Sequence, residues 1–323
     1  MVKLKTLLLI ETIIILLLIG VIISQKFSKT QNKIENPQSD LLSLKITSGI
    51  MKDKSYAIVN FAPLRKHLEE HIGASNISIY VENLRNGAYM GIGEKVGYTP
   101  ASLNKLPLAI LIMRKIEDGK LSLDTPLKVQ EGDRLRTFGS LYNESKDELP
   151  LKVVLEKMIK ESDNTAMSIL LHYVSQEDID FLVDYYNLDI QVDFLDPEQK
   201  NRSNLISPKS MSNVFLSLYF STILESDDSA YLLSLMENTI FDVRASANIP
   251  ETVRIAHKFG QIDFNNSKFF HDCGIMYINE SRMFYCIMTK GLEKKDALEN
   301  IAYIVRNTYK YVELTKEGYK KFS

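Results

Sequence analysis

The segment Tyr98–Met113, YTPASLNKLPLAILIM, places a serine and a lysine three residues apart at the start of a strongly apolar stretch. Residues three apart share a helix face, so a helix that starts at Ser102 brings the Ser102 hydroxyl and the Lys105 amine within hydrogen-bond reach. The following run is apolar on nearly all sides, which predicts a buried helix and a partly desolvated lysine. A second cation nearby would favour the uncharged amine further.

Two interpretations of this segment remain open from the local sequence. In the first, Ser102 is a helix N-cap and Lys105 extends to solvent. In the second, Ser102 is a nucleophile, which requires an adjacent base and donors that stabilise an oxyanion. The start of a helix supplies such backbone N–H groups and a positive dipole.

Composition limits the class of protein. The chain has 323 residues with 45% hydrophobic and 25% charged residues, which predicts one large domain with a sizeable core plus extensions. A formal net charge of −2 gives no electrostatic footprint for nucleic acid. The only cysteines, Cys273 and Cys286, are too few for a zinc cluster. We expect the protein to need no metal and no organic cofactor. We also expect it to be a monomer.

The N-terminal sequence predicts a membrane-spanning segment. Leu7–Ile23 is almost unbroken apolar sequence apart from Glu11, and it is long enough to cross a bilayer. Lys3 and Lys5 should remain in the cytoplasm, which places the rest of the chain outside. No small-x-small cleavage site follows, which favours an uncleaved anchor over a signal peptide whose removal would release a secreted protein.

The chain therefore divides into three parts. Residues 1–24 are predicted to be the membrane anchor or signal sequence, residues 25–55 a polar tether, and residues 56–323 the folded domain. The protein is expected in the cell membrane as a single-pass protein with an extracytoplasmic domain.

Within the domain, strand patterns lie at both ends and helical patterns between them. Asn86–Gly87 marks the turn of an N-terminal hairpin, and Ser207 with Pro208 marks a helix start. The predicted fold class is α/β (α+β): an antiparallel sheet built from both ends of the domain, flanked by helices, with an inserted all-helical subdomain.

Two further motifs follow Ser102 in order. S-D-N occurs at Ser162–Asn164 between two predicted helices, and K-F-G occurs at Lys258–Gly260 on a predicted strand. Each is weak alone, but their order and spacing strongly resemble the penicillin-recognising serine hydrolases, which include class A β-lactamases and D-alanyl-D-alanine peptidases. The resemblance extends from about Tyr56 to the C-terminus and implies a β-lactamase-like fold.

The resemblance implies four roles at the reacting centre. Ser102 would be the acylated nucleophile, and Lys105 would accept or relay its proton. Ser162 would pass a proton to the leaving nitrogen, and Asn164 would hold Lys105 and the substrate amide.

Three more positions would complete the site. Lys258 would supply positive potential, beside Gly260 of the same motif, and the backbone N–H groups of Ser102 and Gln261 would form the oxyanion hole. The implied substrate is a small β-lactam or a peptidoglycan peptide.

Two departures concern recognition of the substrate carboxylate. Phe259 replaces the Thr or Ser of the family's K-T-G, and its ring could fill or re-route that space. The family arginine before a Gly-Ile pair is replaced by Cys273. Lys268, His271 or Arg254 could compensate.

A third departure concerns deacylation. The family's E-x-x-x-N loop corresponds to FLDPEQKNRSNLISP at Phe194–Pro208, which lacks the motif. Glu198 is the candidate catalytic acid, and Asp196 is the alternative because it precedes a proline. Both acids could equally be surface loop residues.

The two cysteines face each other if the turn of the C-terminal hairpin is centred on Asn279–Glu280. The cell exterior permits oxidation, but opposed strand positions make strained disulfides, so free thiols are favoured.

The function expected from these features is that of a β-lactamase-family serine hydrolase that opens β-lactam amides through an acyl-enzyme on Ser102. The alternatives are a D-Ala-D-Ala-type peptidase or other cell-wall peptide hydrolase, and a catalytically impaired binding or sensor domain.

Overall fold

The computed structural model describes residues 60–73, 76–186, 205–264, 266–279 and 281–320. All of them belong to one compact unit, Ser55–Ser323. The predicted anchor and tether, and the acids Asp196 and Glu198, lie outside the described residues, so those hypotheses remain predictions. Within the described ranges, no helix combines the length and apolar character needed to cross a bilayer.

The main sheet is antiparallel and draws its strands from both ends of the domain, as predicted. Its five strands lie in the order β2-β1-β7-β6-β5. They are β1 (Ile77–Asn83), β2 (Tyr89–Ile92), β5 (Arg254–Phe264), β6 (Ser267–Ile278) and β7 (Ser281–Lys290). A small second sheet pairs β3 (Pro126–Lys128) with β4 (Glu148–Pro150).

In the described part of the chain, helices occupy the middle of the domain and both of its ends. In chain order they are α1 (Ala62–Ile72), α2 (Lys105–Glu117), α3 (Leu151–Lys160), α4 (Asn164–Leu171), α5 (Gln176–Tyr186), α6 (Pro208–Tyr219), α7 (Ser226–Met236), α8 (Val243–Ser246) and α9 (Lys294–Lys320).

Local signals set several of these boundaries. The hairpin between β1 and β2 turns at Gly87, whose φ of +75° favours glycine. Helix α6 begins with the predicted cap, because the Ser207 side chain accepts a hydrogen bond from the Ser210 N–H and Pro208 occupies the first turn. Ser102, in contrast, does not start an α-helix but lies in a 3₁₀ turn, Ala101–Asn104, that leads into α2.

The sheet separates two hydrophobic cores. On one side, which we call the helical face, Phe284 packs against Phe215 of α6 at a ring-centroid distance of 5.4 Å, and α2 is buried in the same core. On the other side, the terminal face, Ile79 and Tyr285 lie in one cluster with residues of α1 and α9. Alternate residues along each strand serve the two cores, so register decides which side chains reach the helical face.

The preference for free thiols was wrong. Cys273 and Cys286 are directly paired in the register of β6 and β7 and form a disulfide. Both residues are fully buried in the core of the helical face, where two side chains opposed across neighbouring strands point into the same space.

Candidate active site

Ser102 and Lys105 meet as their spacing predicts. The Lys105 Nζ donates hydrogen bonds to Ser102 Oγ at 2.8 Å and to Asn164 Oδ1 at 2.6 Å. Lys105 is 1% exposed, so its amine does not extend to solvent. The geometry therefore agrees with the interpretation in which Ser102 is a nucleophile beside a base, because its hydroxyl and the Lys105 amine share one pocket.

Burial changes the chemistry of the Lys105 amine. Desolvation lowers the pKa of Lys105 to about 7, against a smaller opposing effect from the negative charge of Asp163. A substantial fraction of this amine is therefore uncharged near neutral pH, the form that can accept the proton of Ser102.

Asp163 fixes the loop that carries Ser162 and Asn164. It is fully buried, and its carboxylate accepts hydrogen bonds from the backbone N–H groups of Ser140 (2.6 Å), Leu141 (2.7 Å) and Ala166 (2.8 Å). The last of these caps α4, whose first residue is Asn164, and so orients the side chain that holds Lys105.

Two details of this loop show how closely it is fitted. Ser162 has a φ of +55°, an uncommon conformation for a residue with a side chain and one found at constrained functional sites. The Asn164 Nδ2 donates to Thr137 Oγ1 at 2.7 Å. Sequence reasoning missed Thr137, because no motif or spacing marks it.

Lys258 reaches the same loop from β5. Its Nζ donates to Ser162 Oγ and to the Phe259 carbonyl oxygen, each at 2.9 Å. Its side chain is almost fully buried, and desolvation, followed by the repulsion of Lys105, holds the pKa of Lys258 well below its ordinary value. The two predicted serine–lysine pairs therefore meet at the S-D-N loop, because Lys105 bonds to Asn164 and Lys258 bonds to Ser162.

Gly260 allows β5 to approach the turn that carries Ser102. A Cβ at this position would lie 3.2 Å from the Pro100 carbonyl oxygen and 3.4 Å from both the Ala101 Cβ and the Leu103 Cγ. The next residue, Gln261, is exposed on β5, which is an edge strand. The oxyanion hole assigned to the N–H groups of Ser102 and Gln261 remains a prediction.

Phe259 does not fill the pocket beside Lys258. Lys258 and Gly260 are directed to the helical face, whereas Phe259 packs on the terminal face, stacked against Phe241 at a centroid distance of 4.3 Å. Phe259 therefore lacks the hydroxyl that the family has at this position, but its ring does not occupy the space around Ser102.

Each of the three residues considered as carboxylate partners already has another partner. His271 is fully buried and bonded to the Thr99 carbonyl oxygen at 2.8 Å, and burial lowers its pKa to about 4, so it is neutral. Two ion pairs engage the others: Lys268 with Glu293 at 2.6 Å and Arg254 with Glu237 at 2.6 Å. Cys273, at the family arginine position, is in the disulfide.

Comparison with known proteins agrees with this arrangement. A profile of the beta-lactamase enzyme family matches residues 63–312, more than half of the chain. The chain belongs to this family. It is 22% identical over 295 residues to beta-lactamase VEB-1 of Pseudomonas aeruginosa, covering 85% of this chain and 92% of that protein.

Solved structures show the same fold. PBP-A superposes with a TM-score of 0.69 at 21% identity, covering 78% of this chain and 96% of its own. The TLA-3 extended-spectrum beta-lactamase superposes with a TM-score of 0.71 at 19% identity, covering 78% and 99%. The protein is thus a serine hydrolase of the beta-lactamase type with a β-lactamase-like α+β fold. Among the described residues, no cluster of three or more His, Cys, Asp or Glu is suited to hold a metal ion.

Proposed function

We propose that this β-lactamase family member is an extracytoplasmic serine hydrolase that opens β-lactam amides through an acyl-enzyme on Ser102. The observation that carries the proposal is the pair of hydrogen bonds from the buried Lys105 amine to Ser102 and Asn164, at 2.8 and 2.6 Å. A penicillin G acyl-enzyme of a PBP-A mutant, with a TM-score of 0.69 to this chain, supports the same chemistry.

Acylation begins with the uncharged Lys105 amine, which takes the proton of the Ser102 hydroxyl as the oxygen attacks the β-lactam carbonyl carbon. Breaking the C–N bond requires a proton on the nitrogen, and Ser162 is the donor we assign. Its contact with Lys258, at 2.9 Å, stabilises negative charge on the Ser162 oxygen during the transfer. The Ser162 oxygen then takes up the proton held by Lys105, so the net step moves one proton from Ser102 to the β-lactam nitrogen and leaves the Lys105 amine uncharged.

Hydrolysis of the ester needs a base for the attacking water. The Lys105 amine, which is uncharged again after acylation and lies beside Ser102, can serve, and Glu198 is the second candidate. The hypothesis for Glu198 stands on sequence alone, because its segment lies outside the described residues.

Intact-mass spectrometry of the full chain tests the proposal. After mixing with penicillin G, the wild-type mass should increase by one whole penicillin, because ring opening releases no fragment, and peptide mapping should locate the adduct on Ser102. Ser102→Ala should show no adduct, whereas the control Ser246→Ala, on an exposed turn of α8, should behave as wild type.

Hydrolysis of the same penicillin is followed in parallel, since fast deacylation would hide the adduct. The proposal is refuted if the wild type shows neither adduct nor turnover. It is also refuted if an adduct still forms in Ser102→Ala. An adduct that decays slowly, without appreciable turnover, would show that acylation occurs but that deacylation limits the enzyme.

The extracytoplasmic location is tested separately. The full chain should fractionate with membranes, and protease added outside intact spheroplasts should degrade the domain. Protection from external protease would contradict the extracytoplasmic location but would not bear on acylation at Ser102.

A further inference from the structure

The backbone of residues 135–141 is hydrogen-bonded to the S-D-N loop and the start of α4. The first of these residues donates its N–H to Thr165 Oγ1 at 3.0 Å. In the middle, the Phe138 carbonyl oxygen accepts from the Asn164 N–H at 3.0 Å. At the far end, two backbone N–H groups bond to the Asp163 carboxylate. The backbone on both sides of residue 137 is therefore fixed relative to the loop.

Thr137 connects this segment to the side chain of Asn164. Its Oγ1 accepts a hydrogen bond from Asn164 Nδ2 at 2.7 Å. Although Thr137 is exposed, the next residue, Phe138, is bonded to the Asn164 backbone and holds the chain in place. A β-branched side chain on a fixed backbone has few rotamers, so the Thr137 hydroxyl is held beside the amide.

The Asn164 amide is consequently held at both of its ends. Its Oδ1 accepts from Lys105 Nζ at 2.6 Å, and its Nδ2 donates to Thr137. The amide group carries two N–H donors in one plane, so holding the oxygen and one N–H fixes the direction of the second N–H. Among the described residues no acceptor bonds this second N–H, and Asn164 is only half-buried, so the donor is open to a ligand.

A donor with a fixed direction recognises an acceptor at one position. In a β-lactam whose amino group is acylated, a carbonyl oxygen lies beside the ring, whereas a free amino group offers no such acceptor. We propose that Thr137 is a positioning residue for Asn164, and that it makes the site select β-lactams with an acylated amino group over those with a free one.

The physical reason is the cost of ordering the donor. Without the Thr137 hydroxyl, the amide is held only through its oxygen, and its plane can turn about the Cβ–Cγ bond. The second N–H is then ordered only when the substrate binds, which costs binding free energy. The contact between Asn164 and Lys105 remains, so β-lactams that do not use this N–H should react as before.

The selectivity part of this inference rests on the proposed function, and two penams test it. Penicillin G and 6-aminopenicillanic acid share the fused rings and the carboxylate, but only penicillin G carries an acyl group on the amino nitrogen. With the full chain in excess over penam, single-turnover ring opening followed by absorbance gives the second-order acylation rate constant, whether or not the ester persists. The ratio of the two constants is the selectivity.

Thr137→Val keeps the shape of the side chain and removes the acceptor. It should lower the selectivity about fivefold, the effect of one hydrogen bond, by slowing penicillin G alone. Thr137→Ser keeps a hydroxyl and should restore the wild-type ratio. Thr137→Ala should behave as Thr137→Val and replaces it if that variant does not fold.

Thr125→Val is the matched control. The Thr125 hydroxyl accepts from the Ser122 N–H at 2.8 Å in the turn before β3. The substitution therefore removes the same atoms and the same kind of hydrogen bond from another turn, and it should leave the selectivity at the wild-type value.

The hold on Asn164 is measured without substrate. In the full chain labelled with ¹⁵N-asparagine, the side-chain NH₂ signal of Asn164 is assigned by its loss in Asn164→Ala, and NMR follows the exchange of its protons with water. A hydrogen-bonded N–H exchanges slowly. The slower of the two protons should exchange about fivefold faster in Thr137→Val and at the wild-type rate in Thr125→Val.

The inference is overturned if Thr137→Val has the selectivity of the wild type, including the case in which both penams slow by the same factor. It is also overturned if Thr137→Ser loses selectivity as Thr137→Val does. If the wild type opens neither penam, the proposed function is refuted. The NMR comparison then decides the role of Thr137, and equal exchange in the wild type and Thr137→Val overturns it.

Discussion

Replacement of Asp163 by asparagine tests how the S-D-N loop is held. In the structure, Asp163 Oδ2 accepts from the N–H groups of Ser140 and Leu141, and Oδ1 accepts from that of Ala166. Asparagine has nearly the same shape but only one acceptor oxygen. In either orientation its NH₂ group faces at least one backbone donor, so a buried N–H loses its partner.

The less costly orientation keeps the oxygen toward Ser140 and Leu141 and leaves the Ala166 N–H unpaired. An unsatisfied buried donor costs about 1–3 kcal/mol, and the two remaining bonds lose the contribution of a charged acceptor, about 0.5 kcal/mol each. We expect the free energy of unfolding to fall by about 3 kcal/mol.

The same substitution also changes the pKa of Lys105, the base of the proposed acylation step. The charge of Asp163 opposes the lowering of the Lys105 pKa by burial, so its loss lowers that pKa further. The acid limb of the pH profile, where the acylation rate falls as the pH decreases, should therefore move to lower pH. This shift is expected even though the protein is less stable. A nonspecific loosening of the pocket would admit water and move the limb the other way.

Urea unfolding followed by circular dichroism measures the stability, and stopped-flow acylation by a fluorescent penicillin measures the pH profile. The control is Glu161→Gln, whose part-exposed carboxylate bonds Ser140 Oγ and Lys157. It should cost less than about 1 kcal/mol and leave the profile in place. The reasoning is refuted if Asp163→Asn lies within about 1 kcal/mol of wild type or moves the acid limb upward.

Three further outcomes are expected. The acylation rate of the wild type should rise with pH through about 7, because the Lys105 amine must be uncharged to accept the Ser102 proton; initial rates against pH measure this. Lys105→Met should abolish acylation yet raise the free energy of unfolding at pH 7 by about 2 kcal/mol in urea titrations, since a charged amine no longer has to be desolvated. Gly139→Ala should destabilise by more than about 3 kcal/mol in the same assay, because φ is +95° and the new Cβ would lie 2.1 Å from Asp163 Oδ2.

Controls separate these outcomes from general damage. The lowered Lys105 pKa means that the unfolded chain binds a proton that the native protein lacks, so wild-type stability should rise with pH from about 7 toward 10.5. Lys105→Met should reduce this slope by the contribution of Lys105, leaving that of Lys258, whose pKa is also lowered. A slope unchanged in that variant would contradict the assignment. Gly87→Ala, at a φ of +75° with no atom within 4 Å, should cost only about 1–2 kcal/mol; equal losses at both glycines would show that the contact with Asp163 is unimportant.

The local chemistry of the site was readable because it depends on short spacings. Ser102 and Lys105 are three residues apart, and one helical turn suffices to join them whatever the rest of the chain does. The apolar run after Lys105 predicted its burial, and burial explains the lowered pKa. The sheet built from both ends followed from where the strand patterns lie.

Contacts across long separations depended on packing. Lys258 and Ser162 are 96 residues apart, and only the approach of β5 to the S-D-N loop joins them. Strand register decides the side of the sheet on which Phe259 lies and the pairing of Cys273 with Cys286, since a shift of one residue exchanges the two faces of a strand. The sequence by itself therefore identified the candidate reactive groups, whereas the tertiary structure decided which of them share a pocket, because side-chain identity is local and register is a property of the whole sheet.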